Sequence, residues 1–214
     1  MKIAFLFLVG LSLILAPYIL WDSIGTRLDC LDEAIADFNH VVIMLNSYKD
    51  NEFTVRWSFV PNMHILNDTN KILDAMLVVA SPFGEKQWPK EKIAQNCCEI
   101  CSKFNISSIW ISFSLRKNEW KASFNENRQY FTGFIKEIQK CTSKKIIIAA
   151  NREEWIFVFG TDYREMSIFP LAHKKQWTYP FGNWTKPLYV KEPLTESVCK
   201  VSLEKYNAYI PSSH

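Results

Sequence analysis

The chain carries no Gly-rich phosphate loop, no His-Glu-x-x-His and no Gly-x-Ser-x-Gly segment. Those absences remove the usual signatures of P-loop nucleotide chemistry, zinc proteolysis and serine-hydrolase catalysis. Its four histidines (His40, His64, His173 and His214) are scattered, and none lies near a matching Cys or Asp pattern. No metal and no cofactor is therefore expected. Charge of one sign is also scarce. A net charge of +3, with basic clusters no longer than doublets such as Lys174-Lys175, gives no basis for nucleic-acid binding. Low-complexity segments and internal repeats are missing as well.

What is present is apolar and aromatic. At 214 residues and 48% hydrophobic, the chain can bury one sizeable domain. Aromatics reach 14%, with eight Trp, enough for a core and for platforms on which sugar rings can stack. The N-terminus combines Met1-Lys2 with an apolar run from Ile3 to Trp21, broken only by Gly10, Ser12 and Pro17. A basic start before an apolar stretch is a secretory signal. Pro17 disfavours a cut after Ala16, whereas Ser23-Ile24-Gly25 offers small residues at the positions a signal peptidase reads. The expected division is a signal over 1–25 and a domain over 26–214. An uncleaved signal-anchor is the alternative, and only that would bring in a membrane. The remainder is expected outside the cell or in a lysosome-like compartment.

Two features agree with export. Asn67-Asp68-Thr69, Asn105-Ile106-Ser107 and Asn183-Trp184-Thr185 match the N-glycosylation acceptor pattern. Six cysteines (Cys30, Cys97, Cys98, Cys101, Cys141 and Cys199) suit disulfides, with the pairing left open. Cys98-Glu99-Ile100-Cys101 has C-x-x-C spacing, but no second ligand pair at zinc spacing accompanies it, so structural bridges are expected.

Along the chain, apolar spacing predicts helices over Leu28–Phe38, Lys90–Cys101, Ser123–Cys141 and Arg152–Phe159. Buried strands are predicted over Val41–Leu45, Ala75–Ala80, Ser107–Ser114 and Lys145–Ala150, with a short strand at Phe169–Ala172. Asp50–Val60 is ambiguous, and Asn67–Asn70 reads as a loop leading to a helical turn around Ile72. Strand–helix alternation at this pace means an α/β fold with a largely parallel sheet. Within the third strand, Trp110-Ile111-Ser112-Phe113-Ser114 alternates strictly. Ile111 and Phe113 share one face, suited to packing on helices; Trp110, Ser112 and Ser114 share the other, suited to a cleft.

The C-terminal third, Phe181-Gly182-Asn183-Trp184-Thr185-Lys186-Pro187 followed by Ser197–Glu204, resembles glycoside hydrolase family 25, in particular its nematode and amoeba lysozyme-like group. Tyr130-Phe131, Trp155 and Phe159-Gly160, and upstream Ala80-Ser81-Pro82, fit the same order. The resemblance implies an irregular, TIM-like β/α barrel acting on bacterial cell-wall glycan or another polysaccharide.

That resemblance also implies a defect. Family members carry a strand written roughly Trp-Leu-Asp-Ile-Glu, whose two carboxylates lie at the barrel mouth. Glycoside hydrolysis needs such a pair, one to protonate the leaving oxygen and one to stabilise or attack the anomeric carbon. Here both acids are serines, Ser112 and Ser114. The family's N-terminal Asp-Val-Ser is reduced to Asp22-Ser23, and its late Asp is Glu204. Glu119 and Glu204 are the acids left as weak rescue candidates. The implied glycan cleft is lined by Trp110, Ser112, Ser114 and Glu204 and extended by Trp177, Tyr179 and Trp184. Expected is a secreted, catalytically degenerate lysozyme-like protein of host defence. The alternatives are a residually active muramidase and a non-enzymatic protein whose cleft is closed.

Overall fold

The computed structural model describes residues 18–21, 35–36, 38–49, 52–56, 58–80, 89–115, 120, 123–175, 177, 179–198 and 201–208. Helices are α1 (Phe59–Asn67), α2 (Lys90–Ser102), α3 (Phe124–Cys141) and α4 (Arg152–Phe159). Strands are β1 (Tyr18–Trp21), β2 (His40–Met44), β3 (Asn46–Lys49), β4 (Glu52–Val55), β5 (Ile72–Val79), β6 (Ile106–Phe113), β7 (Lys145–Ala150), β8 (Leu171–His173), β9 (Tyr189–Val198) and β10 (Val201–Ala208). Eight of them form one curled mixed sheet in the order β1-β10-β9-β8-β7-β6-β5-β2. β1 pairs antiparallel with β10 and parallel with β2, so hydrogen bonding continues around the ring. β3 and β4 make a separate hairpin.

Each parallel step is built by local signals that the chain makes explicit. Pro89 precedes α2 in an extended conformation, supplying a fixed φ at the helix entrance. Ser123 and Asn151 cap α3 and α4 by the same device. Each side chain accepts from the backbone N–H three residues on, while Glu126 or Glu154 reaches back to the cap. Gly160, at φ 74°, ends α4 where an L side chain would be strained.

The alternation of β6 sorts its side chains as the sequence requires. Ile109, Ile111 and Phe113 join the outer layer between sheet and helices, while Trp110 joins Val42, Met76, Ile147, Ala149, Ala172 and Tyr206 inside the ring. One sequence expectation needs correction. The helix near Asn67 precedes the loop rather than following it, because Pro61 falls in a first turn that needs no N–H from it; Ile72 then opens β5. The barrel is irregular, as expected: β9 and β10 are an antiparallel hairpin. Tyr18–Trp21, on the signal side of the expected boundary, sit in the sheet as β1. Leu28–Phe38 falls largely outside the described residues. Among the described residues no helix is long and apolar enough to cross a membrane.

Candidate functional site

In parallel β/α barrels, chemistry gathers at the carboxyl ends of the strands. Here those ends bring together Asn46 after β2, Val78 on β5, Ser112 and Ser114 on and after β6, Asn151 after β7 and His173 on β8. Ser112 pairs in register with Val78, two residues above the row Met44, Met76, Trp110 and Ile147 that fills the interior. Ser112 is 3% exposed, and Ser114 is half-buried.

Trp110 is not a cleft wall. It is fully buried, stacked on Tyr189 at 5.7 Å and edge-on to Tyr206 at 5.4 Å. Its indole N–H donates to Asp74 Oδ2 at 2.9 Å, and Ser108 N–H donates to Asp74 Oδ1 at 2.7 Å. Burial pushes the Asp74 carboxyl up to about 6, against the hydrogen bonds from Trp110 and Ser108 that favour its charged form. Asp74 pairs with Ser108, four residues before Ser112, so it lies about 13 Å deeper along the strand direction. A substrate oxygen at the mouth cannot reach it past the indole ring.

The aromatic residues expected to extend the cleft divide. Trp184 is 5% exposed, donates its indole N–H to Phe169 O at 2.8 Å and packs on Trp155 at 4.8 Å, which makes it core. Trp177 is half-buried, edge-on to His173 at 5.1 Å. Tyr179 is 65% exposed. Both Trp177 and Tyr179 belong to the segment leaving the carboxyl end of β8. Glu204 stands on β10 opposite Leu20 and Thr195, with only its backbone described; Glu119 lies outside the described residues.

Two residues of the mouth, Asn46 and Trp120, and one of the interior, Asp74, are not among those the sequence singles out. Asn46 pairs its side-chain amide with Val78, accepting from the N–H at 2.8 Å and donating to the carbonyl at 2.9 Å, and so continues the ladder beyond β2. Trp120, at φ 62°, folds back to donate its indole N–H to Ser114 O at 2.8 Å. Asp74 stands one residue before the strand predicted from Ala75, and β5 takes it in because the strand starts at Ile72. The His173 ring bonds back onto the segment leaving β8, its Nδ1 meeting Lys175 O at 2.5 Å, and burial lowers its pKa. Among the described residues no group of three or more His, Cys, Asp or Glu side chains could hold a metal.

The cysteines are sorted by the α2–α3 contact. Cys98 and Cys141 form a disulfide, while Cys97 and Cys101 are buried free thiols with their sulfurs 3.9 Å apart. The expectation of bridges is met for one pair and not for Cys97 and Cys101, whose i,i+4 placement puts both on one buried helix face. Cys30 and Cys199 lie outside the described residues.

No family model and no curated protein matches this sequence. Solved structures do match. The chain is similar to the spore cortex lytic enzyme SleM of Clostridium perfringens, with a TM-score of 0.70 and 8% identity over 92% of this chain and 68% of that one. A family 25 glycosyl hydrolase from Bacillus anthracis gives 0.66 and 13%, covering 92% and 90%. The bacterial lysozyme from Streptomyces coelicolor gives 0.69 and 9%, covering 92% and 93%. The fold is thus that of the family 25 lysozymes and muramidases: an α/β fold with a curled mixed sheet forming an irregular barrel.

Proposed function

We propose that this chain is an exported lysozyme-like protein of glycoside hydrolase family 25, of the nematode and amoeba group, that has lost muramidase turnover and kept the capacity to bind cell-wall glycan in a host-defence role. One observation carries the reading: Ser112 near the end of β6 and Ser114 just after it stand where the resemblance calls for an Asp and a Glu. A serine hydroxyl neither protonates a leaving oxygen as a carboxylic acid does nor offers negative charge to an oxocarbenium-like transition state. Loss of general acid catalysis alone costs about 10²–10⁴-fold. Asp74 does not replace it, being buried beneath Trp110 with both oxygens engaged. Hydroxyls can still bond sugar hydroxyls, and Tyr179 and Trp177 offer aromatic surface on the segment leaving β8.

The complete burial of Trp110 favours a second reading, a protein with a closed cleft that acts through its outer surface. The experiment is turnover and binding of insoluble peptidoglycan by the purified protein, beside Ser112→Asp/Ser114→Glu and Tyr179→Ala variants. Expected are no turnover by the natural protein, a gain of turnover in the double variant, and binding weakened about three- to tenfold by Tyr179→Ala. Robust natural turnover would overturn the degenerate reading and turn attention to Glu119 and Glu204. Absence of any saturable binding would leave the closed-cleft reading standing.

A further inference from the structure

The three Asn-x-Ser/Thr triplets are not absorbed by the barrel mouth, and the structure gives them positions. Asn67 is the last residue of α1, and Asn105 lies in the turn immediately before β6. Both side chains are exposed. β5 and β6 are neighbouring parallel strands, with Leu73 opposite Ile106, so these two asparagines stand at the entry ends of adjacent strands. The mouth lies at the other end. From Asn105 to Ser114 the chain advances nine residues, almost all within β6, or about 30 Å. Two bulky groups at Asn67 and Asn105 would therefore leave Ser112, Ser114 and the β8 exit uncovered.

We propose that Asn67 and Asn105 are N-glycosylated, so that the entry end of the barrel carries the oligosaccharides and the mouth stays open. In the transfer, the side-chain amide nitrogen attacks the anomeric carbon of a lipid-pyrophosphate-linked oligosaccharide. A carbon–nitrogen bond forms and the carbon–oxygen bond to pyrophosphate breaks. The amide gives up one proton, the lipid pyrophosphate leaves with the electron pair, and nothing is oxidised or reduced. At Asn67 the modification must precede folding. In the folded protein Asn67 is held at a helix end and the Thr69 hydroxyl already donates to Leu66 O at 2.6 Å, so the triplet is no longer free to be read. Once added, the glycan meets no packing conflict, because Asn67 and Asp68 are both exposed. At Asn105 the middle residue Ile106 is buried, but Asn105 and Ser107 face solvent.

Asn183 is a different case. With Gly182 at φ 53° and Asn183 at φ 67°, the pair makes the two-residue turn between Phe181 and Trp184. Glutamine at 183 would strain that turn, so Thr185→Ala, at an exposed position, is the cleaner way to remove this triplet.

The test expresses the full chain, N-terminal apolar run included, in a eukaryotic secretory host. The product is treated with a peptide N-glycosidase, and deamidation at each acceptor is read by peptide mass spectrometry. Asn67 and Asn105 are expected to convert to aspartate. Asn67→Gln and Ser107→Ala are each expected to remove one glycan from the untreated protein, and Thr69→Ser is expected to keep the glycan at Asn67. Thr185→Ala is expected to leave both in place. Exported protein unmodified at Asn67 and Asn105, modification confined to Asn183, or recovery of the chain only from the cytosol would each overturn the proposal. None of these outcomes depends on whether peptidoglycan is bound or cleaved.

Discussion

Asp74 sets a cost at the centre of the barrel that depends on pH. Its carboxyl is buried, it accepts from Ser108 N–H and the Trp110 indole, and its pKa rises from 3.8 to about 6 on folding. A group whose folded pKa is raised binds its proton more tightly in the folded state. Its contribution to stability is full below pH 3.8 and lost as pH rises through about 6. A shift of that size corresponds to roughly 3 kcal/mol. His40 and His173 act the other way: burial lowers their pKa below 6.5, so they oppose folding as pH falls beneath that value. Asp74→Asn isolates the first effect. Thermal melts between pH 4 and 7 are expected to show the natural protein losing stability relative to the variant as pH rises. Parallel curves would assign the pH dependence elsewhere. The same carboxylate explains why Trp110 stays inside: turning the indole toward the mouth would leave a buried acid without one of its donors.

Among the elements, α2 and α3 depend on each other most directly. Cys98 and Cys141 lock them together across a sequence separation of 43 residues. Loop-closure entropy for that span is worth about 4 kcal/mol in the chain-entropy model, with observed values of about 2–4 typical. A Cys98→Ser/Cys141→Ser variant is expected to melt on the order of 10 °C lower, a difference that a reductant should abolish. An unchanged midpoint in the variant would mean that the helix pair is held by packing alone. Cys97 and Cys101 are not expected to take over the bridge. The contact with Cys101, and then burial, raise the Cys97 pKa, and that disfavours the thiolate needed for exchange.

For the whole molecule, the decisive element is β1. Tyr18–Trp21 hydrogen-bonds to β10 on one side and β2 on the other, so removing it opens the ring and exposes two strand edges. A cut after Gly25 would take it away with the leader. A chain beginning at Thr26 is therefore expected to melt lower and self-associate more than one beginning at Pro17, measured by thermal melts and size-exclusion chromatography. Equal behaviour would show that β1 adds nothing to closure.

The sequence alone determined the local order of this protein. Apolar spacing marked α2, α3 and α4 to within about a residue, and the alternation of residues 110–114 assigned Ile111 and Phe113 to the helix side. Such signals are legible because strand and helix periods act over a few neighbouring residues. The two serines of the mouth were visible for the same reason. Which face meets solvent was not, because curling the sheet turns one face of every strand inward, and no strand carries that fact in its own residues. Trp110 therefore read as a cleft residue and is a filled interior. Its bond to Asp74 joins positions 36 residues apart and exists only once β5 and β6 are adjacent. Trp184 likewise became core through Phe169 and Trp155, leaving Tyr179 as the exposed ring beyond β8. Tertiary packing decided those placements, since burial is a property of what comes to lie beside a residue rather than of the residue.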